Sequence, residues 1–306
     1  MEKETIQDLI LRYGVILGKR STEKQKKSFL RAASKQFEQE GFPVDITCVS
    51  ASVLKQETLN TYNLYAGDFD KAECVFVTYY DTPLCQLLPK VQQAFHSNWS
   101  KGNFLMHMML FLLLIILFVG VLCTVVFPNL QKVGFLSVWG ILLIASCAAG
   151  FFIISHMRGG IARQTNRNRN TSSLIALFTF AARLSKCEKE KIAFALIDEG
   201  TRSELGLKML ADYIGKRKII RIYLDTVSNG EQFQCFSNLA LPDDVNLSRH
   251  PLVSQWKNYG DILLTSSNQD QEEVILQKEK HIDKNQLEQR ISRCAILLSS
   301  LSRLSK

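Results

Sequence analysis

The 306-residue sequence has only five histidines and six prolines, and several chemical signatures are missing from it. No HExxH or HxxxH pair occurs, so a fresh zinc site would have to be assembled from distant residues. No GxSxG elbow is present, and a triad of Ser172, His250 and Asp225 would lack that support; a serine at a helix start reads more simply as an N-cap. P-loop and GxGxxG patterns are absent too, and "RGGIAR" reads as a flexible exit from the apolar region that precedes it. The eight cysteines (48, 74, 85, 123, 147, 187, 235 and 294) contain no CxxC and read as ordinary buried thiols in a reducing compartment rather than a disulfide framework. A secretory signal is not expected, because "MEKETIQDLILRYGVILGKR" is charged from its second residue.

Charge is absent from two long runs, Phe104–Phe127 and Val133–Ile154. As helices they would extend roughly 33 to 36 Å, enough to cross a hydrocarbon layer of about 30 Å. The connection "PNLQK" predicts a tight turn and hence an antiparallel hairpin over residues 101–157. Lys90 and Lys101 precede it, Arg158, Arg163, Arg167 and Arg169 follow it, and Lys132 stands alone in the turn. The positive-inside bias places both flanks and both termini in the cytoplasm, in a multi-pass protein of the cell membrane. The formal net charge of +8 therefore speaks of membrane orientation and a lipid-bilayer partner, not of nucleic acid. Ser146 and Gly150, four apart, suit close helix packing within the hairpin or against a membrane partner. "LLPKVQQAFHSNW" has helical spacing, suiting an amphipathic helix on the headgroups or on the soluble domain. "KRSTEKQKK" reads as a solvated helix start that could also touch anionic lipid.

Outside the hairpin, helical periodicity over 4–16, 22–40, 171–186, 203–215 and 284–304 alternates with strands at "VDITCVSA", "ECVFVTYY", "KIAFALID", "KIIRIYLD" and "DILLTSS". The fold class is α/β, with a mostly parallel sheet covered by helices. Residues 1–100 and 158–306 are expected to be two parts of one domain, interrupted by the hairpin.

In order along the chain, "YYDTP", "RNTSSLIALFTFAARL", "FALIDEGTRSELGL", "IIRIYLDTV", "SRHPLVSQWKNYGDILL" and "EEVILQKEKHIDKNQLEQRI" resemble the motif strings of the zinc-dependent exopeptidases with two co-catalytic metals, the leucyl aminopeptidase and glutamate carboxypeptidase-like enzymes. The resemblance covers nearly all of the chain but the hairpin and its flanks. It implies a site with five metal ligands and one glutamate base. Transferred residue by residue, the first histidine is Tyr79, the bridging aspartate is Arg169, and the base and the ligand after it are Gly200 and Thr201. The ligand aspartate survives as Asp225, the last histidine falls at Glu273, and the orienting aspartate is kept as Asp81. A slip of one or two residues would bring Glu199 in as the acid.

A neutral phenol is a poor zinc ligand, and an arginine between two dications sets like charges together. The Arg169 guanidinium is expected either to pair with Asp225 and Asp81 in place of zinc or to lie exposed in the basic flank. Asp81, Arg169, Asp225 and His250 are the candidate binding residues. Two function classes follow. One is a catalytically inactive, membrane-anchored aminopeptidase-like protein that binds a peptide or membrane partner as a scaffold or accessory subunit and needs no cofactor. The other is a membrane-bound peptidase with an altered, single-zinc site using Asp225, Asp81, Glu273 or Glu199. Because both tethers would leave from the carboxyl ends of strands, the old active-site face is expected to point at the bilayer.

Overall fold

The computed structural model describes residues 5–54, 57–82, 92–95, 101–157, 169–200, 203–228, 232–239, 247–270, 273–276 and 282–304. The chain forms two compact units: Met1–Pro83 with Val91–Asn98 and Gln164–Lys306, and Leu84–Lys90 with Trp99–Arg163.

The larger unit opens with helix α1 (Ile6–Leu9), which continues as a π-helical stretch over Ile10–Ile16, and with α2 (Glu23–Gln39). Thr22 and Gln25 close a capping box at the start of α2, satisfying backbone donors that the helix leaves unpaired. Strands β1 (Val44–Leu54), β2 (Glu57–Ala66), β3 (Cys74–Tyr79) and the two-residue β4 (Gln92–Gln93) follow. Past the apolar runs come α6 (Arg169–Arg183), α7 (Lys186–Lys189), β5 (Ile192–Ile197), α8 (Leu205–Ile214), β6 (Ile220–Asp225), β7 (Gln232–Ser237), β8 (Ser248–His250), β9 (Ile262–Asp270), β10 (Glu273–Leu276) and α9 (Lys284–Leu304).

The sheet order is β1-β2-β5-β3-β6-β9-β10-β4, with β7 and β8 branching from β9. Its centre is parallel, with β3 between β5 and β6 and β6 beside β9, and β8 also pairs parallel with β7. The β1-β2 hairpin joins β5 antiparallel, and β7 and β10 run antiparallel to β9. The expectation of a mostly parallel sheet is thus corrected to a mixed one. Strand β2 escapes a hydropathy reading because it carries buried Thr61 and Asn63 among its apolar residues.

The central strands bury both faces with period two. Phe76, Phe194, Leu196, Ile222 and Leu264 meet Tyr13, Phe29, Phe37 and Phe178 of the N-terminal helices and α6, whereas Val77, Ala195, Ile197, Tyr223 and Leu263 meet Leu207 and Leu210 of α8. The same alternation sends Tyr79 and Tyr80, neighbours at the end of β3, into opposite cores. Residues Gln92–Phe95, expected within an amphipathic helix, instead form β4 and a turn, and Phe95 is buried in the α8-side core. Leu87, Leu88 and Val91, on the same expected helix, lie outside the described residues.

The smaller unit is helical. Helix α3 (Lys101–Val121), a π-helical segment Leu122–Val126 and α4 (Phe127–Val133) follow one another without a break, and α5 spans Val138–Met157. The turn expected at "PNLQK" therefore falls later, at Gly134–Ser137. Pro128 lies just after the π-helical segment Leu122–Val126, and Gly134 (φ 88°) ends the helix in a conformation that favours glycine. Among the described residues Leu105–Val133 is long and apolar enough to cross a membrane by length and composition, and Val138–Ile153, within α5, is a shorter apolar stretch. Within this unit Gly150 abuts the Phe118 ring, which a Cβ would approach to 2.8 Å.

Candidate functional site

Three strands of the parallel centre deliver acidic groups at their carboxyl ends, the side on which open α/β sheets hold ligands. Asp81 follows β3, Asp198 and Glu199 follow β5, and Asp225 ends β6; all four are buried.

At Asp225, Oδ1 accepts from the Tyr79 hydroxyl and from the Thr226 hydroxyl, each at 3.1 Å, and Oδ2 accepts from the Phe95 backbone N–H at 3.1 Å. Tyr79 and Asp225 are thus brought together as the sequence suggested, but through a phenol hydrogen bond. Gly200 lies against this phenol: a Cβ there would come 2.3 Å from the Tyr79 Cβ, so no larger residue fits with Tyr79 in place.

Beside it, the Lys26 ammonium from α2 is 2.7 Å from Asp198 Oδ1 and 2.7 Å from Glu199 Oε1. Burial alone would depress the lysine, but Asp198, Glu199 and Asp81 outweigh it and hold its pKa above the ordinary value. Burial pushes the Asp198 carboxyl up to about 6; Lys26 opposes this shift, and Asp81 and Glu199 add to it. Asp198 also accepts from the Tyr62 and Glu199 backbone N–H groups at 3.2 and 2.8 Å. A second buried cation, Arg20, knits the rim. It donates to the carbonyls of Tyr80, Tyr13 and Leu17 and to the side chains of Asn170 and Thr171, while Asn170 donates to the Asp81 carbonyl at 2.7 Å. Burial pulls Arg20 down to about 10 against the opposing pull of Asp81.

Among the described residues only three non-glycines have positive φ: Phe95 (53°), Glu199 (58°) and Thr226 (56°). All three belong to this site. Such backbone is costly for a side chain with a Cβ, most of all for a β-branched one, and it concentrates where function holds it.

Two buried cations, Arg20 and Lys26, are not among the expected site residues. Arg169 starts α6 by its backbone and its side chain lies outside the described residues, as do the Glu273 side chain and Thr201. Asp225 accepts from Tyr79, Thr226 and Phe95, and Lys26 bridges the carboxylates of β5; the expected pairing of Arg169 with Asp225 and Asp81 lies outside the described residues. The "KRSTEKQKK" run is not simply solvated, because Arg20 and Lys26 within it are buried while Lys24 and Lys27 are exposed. His250 stacks on Phe236 at 5.1 Å, and Ser172 is a buried acceptor for the Val227 N–H at 3.0 Å, so Ser172 is committed to the backbone and does not cap the helix.

Among the described residues, this donor set does not fit a pair of zinc ions. A zinc ion needs deprotonated oxygen, nitrogen or sulfur donors with open lone pairs. Here Asp198 and Glu199 are engaged by the Lys26 ammonium and Asp225 by a phenol, a hydroxyl and an amide, and no group of three histidine, cysteine or acidic side chains that could hold a metal ion occurs among the described residues.

The whole chain is similar in fold to a Zn-dependent exopeptidase from Parabacteroides distasonis ATCC 8503 (TM-score 0.54, 11% identity, 95% of each chain covered). It is similar also to the glutaminyl cyclase of Tannerella forsythia (TM-score 0.54, 10% identity, 95% of this chain and 96% of that one). A third similar structure is the Bacteroides thetaiotaomicron glutaminyl cyclase bound to N-acetylhistamine (TM-score 0.51, 12% identity, 95% and 94%). At such identities the likeness is one of fold. No family model matches the sequence, and no curated protein matches it.

Proposed function

We propose that this chain is a membrane-anchored, catalytically inactive protein with the fold of zinc exopeptidases and glutaminyl cyclases, serving as a binding, scaffold or accessory subunit at the cytoplasmic membrane face. The observation that carries the reading is the single ammonium of Lys26 lying 2.7 Å from both Asp198 and Glu199, in a site where Asp225 is bonded to the Tyr79 phenol. A resident cation of the protein does there what a metal would do for those two acids, without Lewis acidity and without a bound water to activate. Anchoring is supported by the apolar helix Leu105–Val133 with α5 behind it, and by the basic residues that flank the pair in sequence. The strained backbone at Phe95, Glu199 and Thr226 supports a site kept for binding.

The reading is tested by metal analysis of the purified full chain, with assays on chromogenic amino-acid amides and on peptides with N-terminal glutamine. We expect substoichiometric zinc and no turnover on either substrate. Stoichiometric zinc that is lost in Asp225→Ala, with turnover that is lost alongside it, would overturn the inactive reading in favour of a single-zinc peptidase or cyclase.

A further inference from the structure

The turn after β4 is placed as a ligand would be. Gln93 and Gln92 pair antiparallel with Ile275 and Leu276 at the outer edge of β10, so β4 adds a two-residue strand to the sheet. The chain then turns at Phe95, whose N–H reaches Asp225 Oδ2 and whose ring enters an aromatic cage. Its centroid is 5.3 Å from that of Trp256, 6.0 Å from Phe236, 6.3 Å from Tyr223 and 6.4 Å from Tyr259. Phe95 is 2% exposed.

The occupant is an imperfect one. Phe95 holds a left-handed backbone (φ 53°) that a phenylalanine adopts at a cost. In the wall of the cage Trp256, itself 5% exposed, has its indole Nε1–H buried without an acceptor, and His250 Nε2 is buried without a partner. An unpaired buried donor carries its full desolvation penalty. Backbone addition at a sheet edge supplies affinity in peptide recognition, and a pocket for one side chain supplies selectivity.

We propose that Gln92–Phe95 is the internal occupant of a peptide groove, and that an extended segment of a partner polypeptide carrying an aromatic residue docks by displacing it. The partner strand pairs with β10, its aromatic ring fills the cage of Tyr223, Phe236, Trp256 and Tyr259, and a main-chain N–H engages Asp225. This rests on the binding reading above and names the ligand class of that same site.

The test uses the full chain in detergent. In hydrogen exchange, the amides of Gln93–Phe95 in the native chain should exchange at least 100-fold faster than those of Val75–Val77 in β3; equal rates would mean that the segment opens only with the whole unit, and would overturn the proposal. A fluorescein-labelled QQAF peptide should bind the Phe95→Ala chain at least tenfold tighter than the native chain and lose at least tenfold when its phenylalanine is alanine. Equal binding to both chains, or indifference to the peptide's phenylalanine, overturns it as well. If Phe95→Ala does not fold, the exchange comparison on the native chain decides. Mass spectrometry of the peptide separates the two readings: cleavage counts against inactivity and leaves the groove standing, whereas an intact, unbound peptide sinks the groove alone.

Discussion

Lys26 is the residue on which the site turns, and its trace in the sequence is a position rather than a motif. In α2 the buried residues are Lys26, Phe29, Leu30, Ala33, Gln36 and Phe37, one stripe at helical spacing, and a lysine on such a stripe asks for a buried carboxylate. The carboxylates it meets were half visible: Glu199 is within reach of a shifted alignment, while Asp198 reads as the end of a strand. Removing the cation leaves two acids buried and uncompensated. Lys26→Met should therefore cost about 3–5 kcal/mol in urea unfolding, and adding Asp198→Asn should recover part of the loss. One ammonium facing two carboxylates also leaves a proton to be taken up. The folded pKa of Asp198, about 6, lies above its ordinary 3.8, so the folded chain holds a proton that the unfolded chain releases. That contribution is fully present below about pH 4 and is lost as pH rises through about 6, and it amounts to roughly 1–3 kcal/mol. Thermal unfolding at pH 5 and pH 7 should show the native chain relatively more stable at pH 5, and Asp198→Asn should flatten that difference.

Strands β3, β5, β6 and β9 were legible because burial on both faces leaves apolar stretches in them: Val75–Val77, Ile192–Ile197, Ile222–Leu224 and Ile262–Leu264. Strand β2 was not, since its inward polar groups are satisfied by partners that no local pattern reveals: Asn63 accepts from the Asp198 N–H at 3.0 Å and donates to the Gly206 carbonyl at 2.8 Å. The same contact fixes how α8 enters. Gly206, in its first turn, lies so near the end of β5 that a Cβ would stand 2.1 Å from the Asp198 carbonyl oxygen. Gly206→Ala should push the helix off the strand end and destabilise the unit by about 1–3 kcal/mol, read by urea unfolding. The turn falls at Gly134–Ser137 rather than at "PNLQK" because the helix runs on through Pro128, which reads as a break in sequence but lies just after the π-helical segment Leu122–Val126.

The order of strands and helices pointed to an exopeptidase-like α/β fold before any geometry was known, and the similar solved structures share that fold across nearly the whole chain. What order alone did not reveal is the antiparallel margin of the sheet or the segment seated on Asp225. The proposed membrane orientation has a direct check in the native thiols, since Cys48 and Cys187 of the larger unit, expected to be buried, are exposed. With the other cysteines replaced by serine, both should react with a membrane-impermeant maleimide only after cells are opened; labelling in intact cells would reverse the orientation. Finally, β3 is seated between β5 and β6, strands made more than a hundred residues later, on the far side of the apolar helices. A ribosome must therefore release the first strands with their neighbours still unmade, and long-range pairing of this kind is slow. Assembly of the sheet has to wait for the greasy middle of the chain to find its place, so a lesion that delays those helices should leave the early strands open to aggregation and proteolysis.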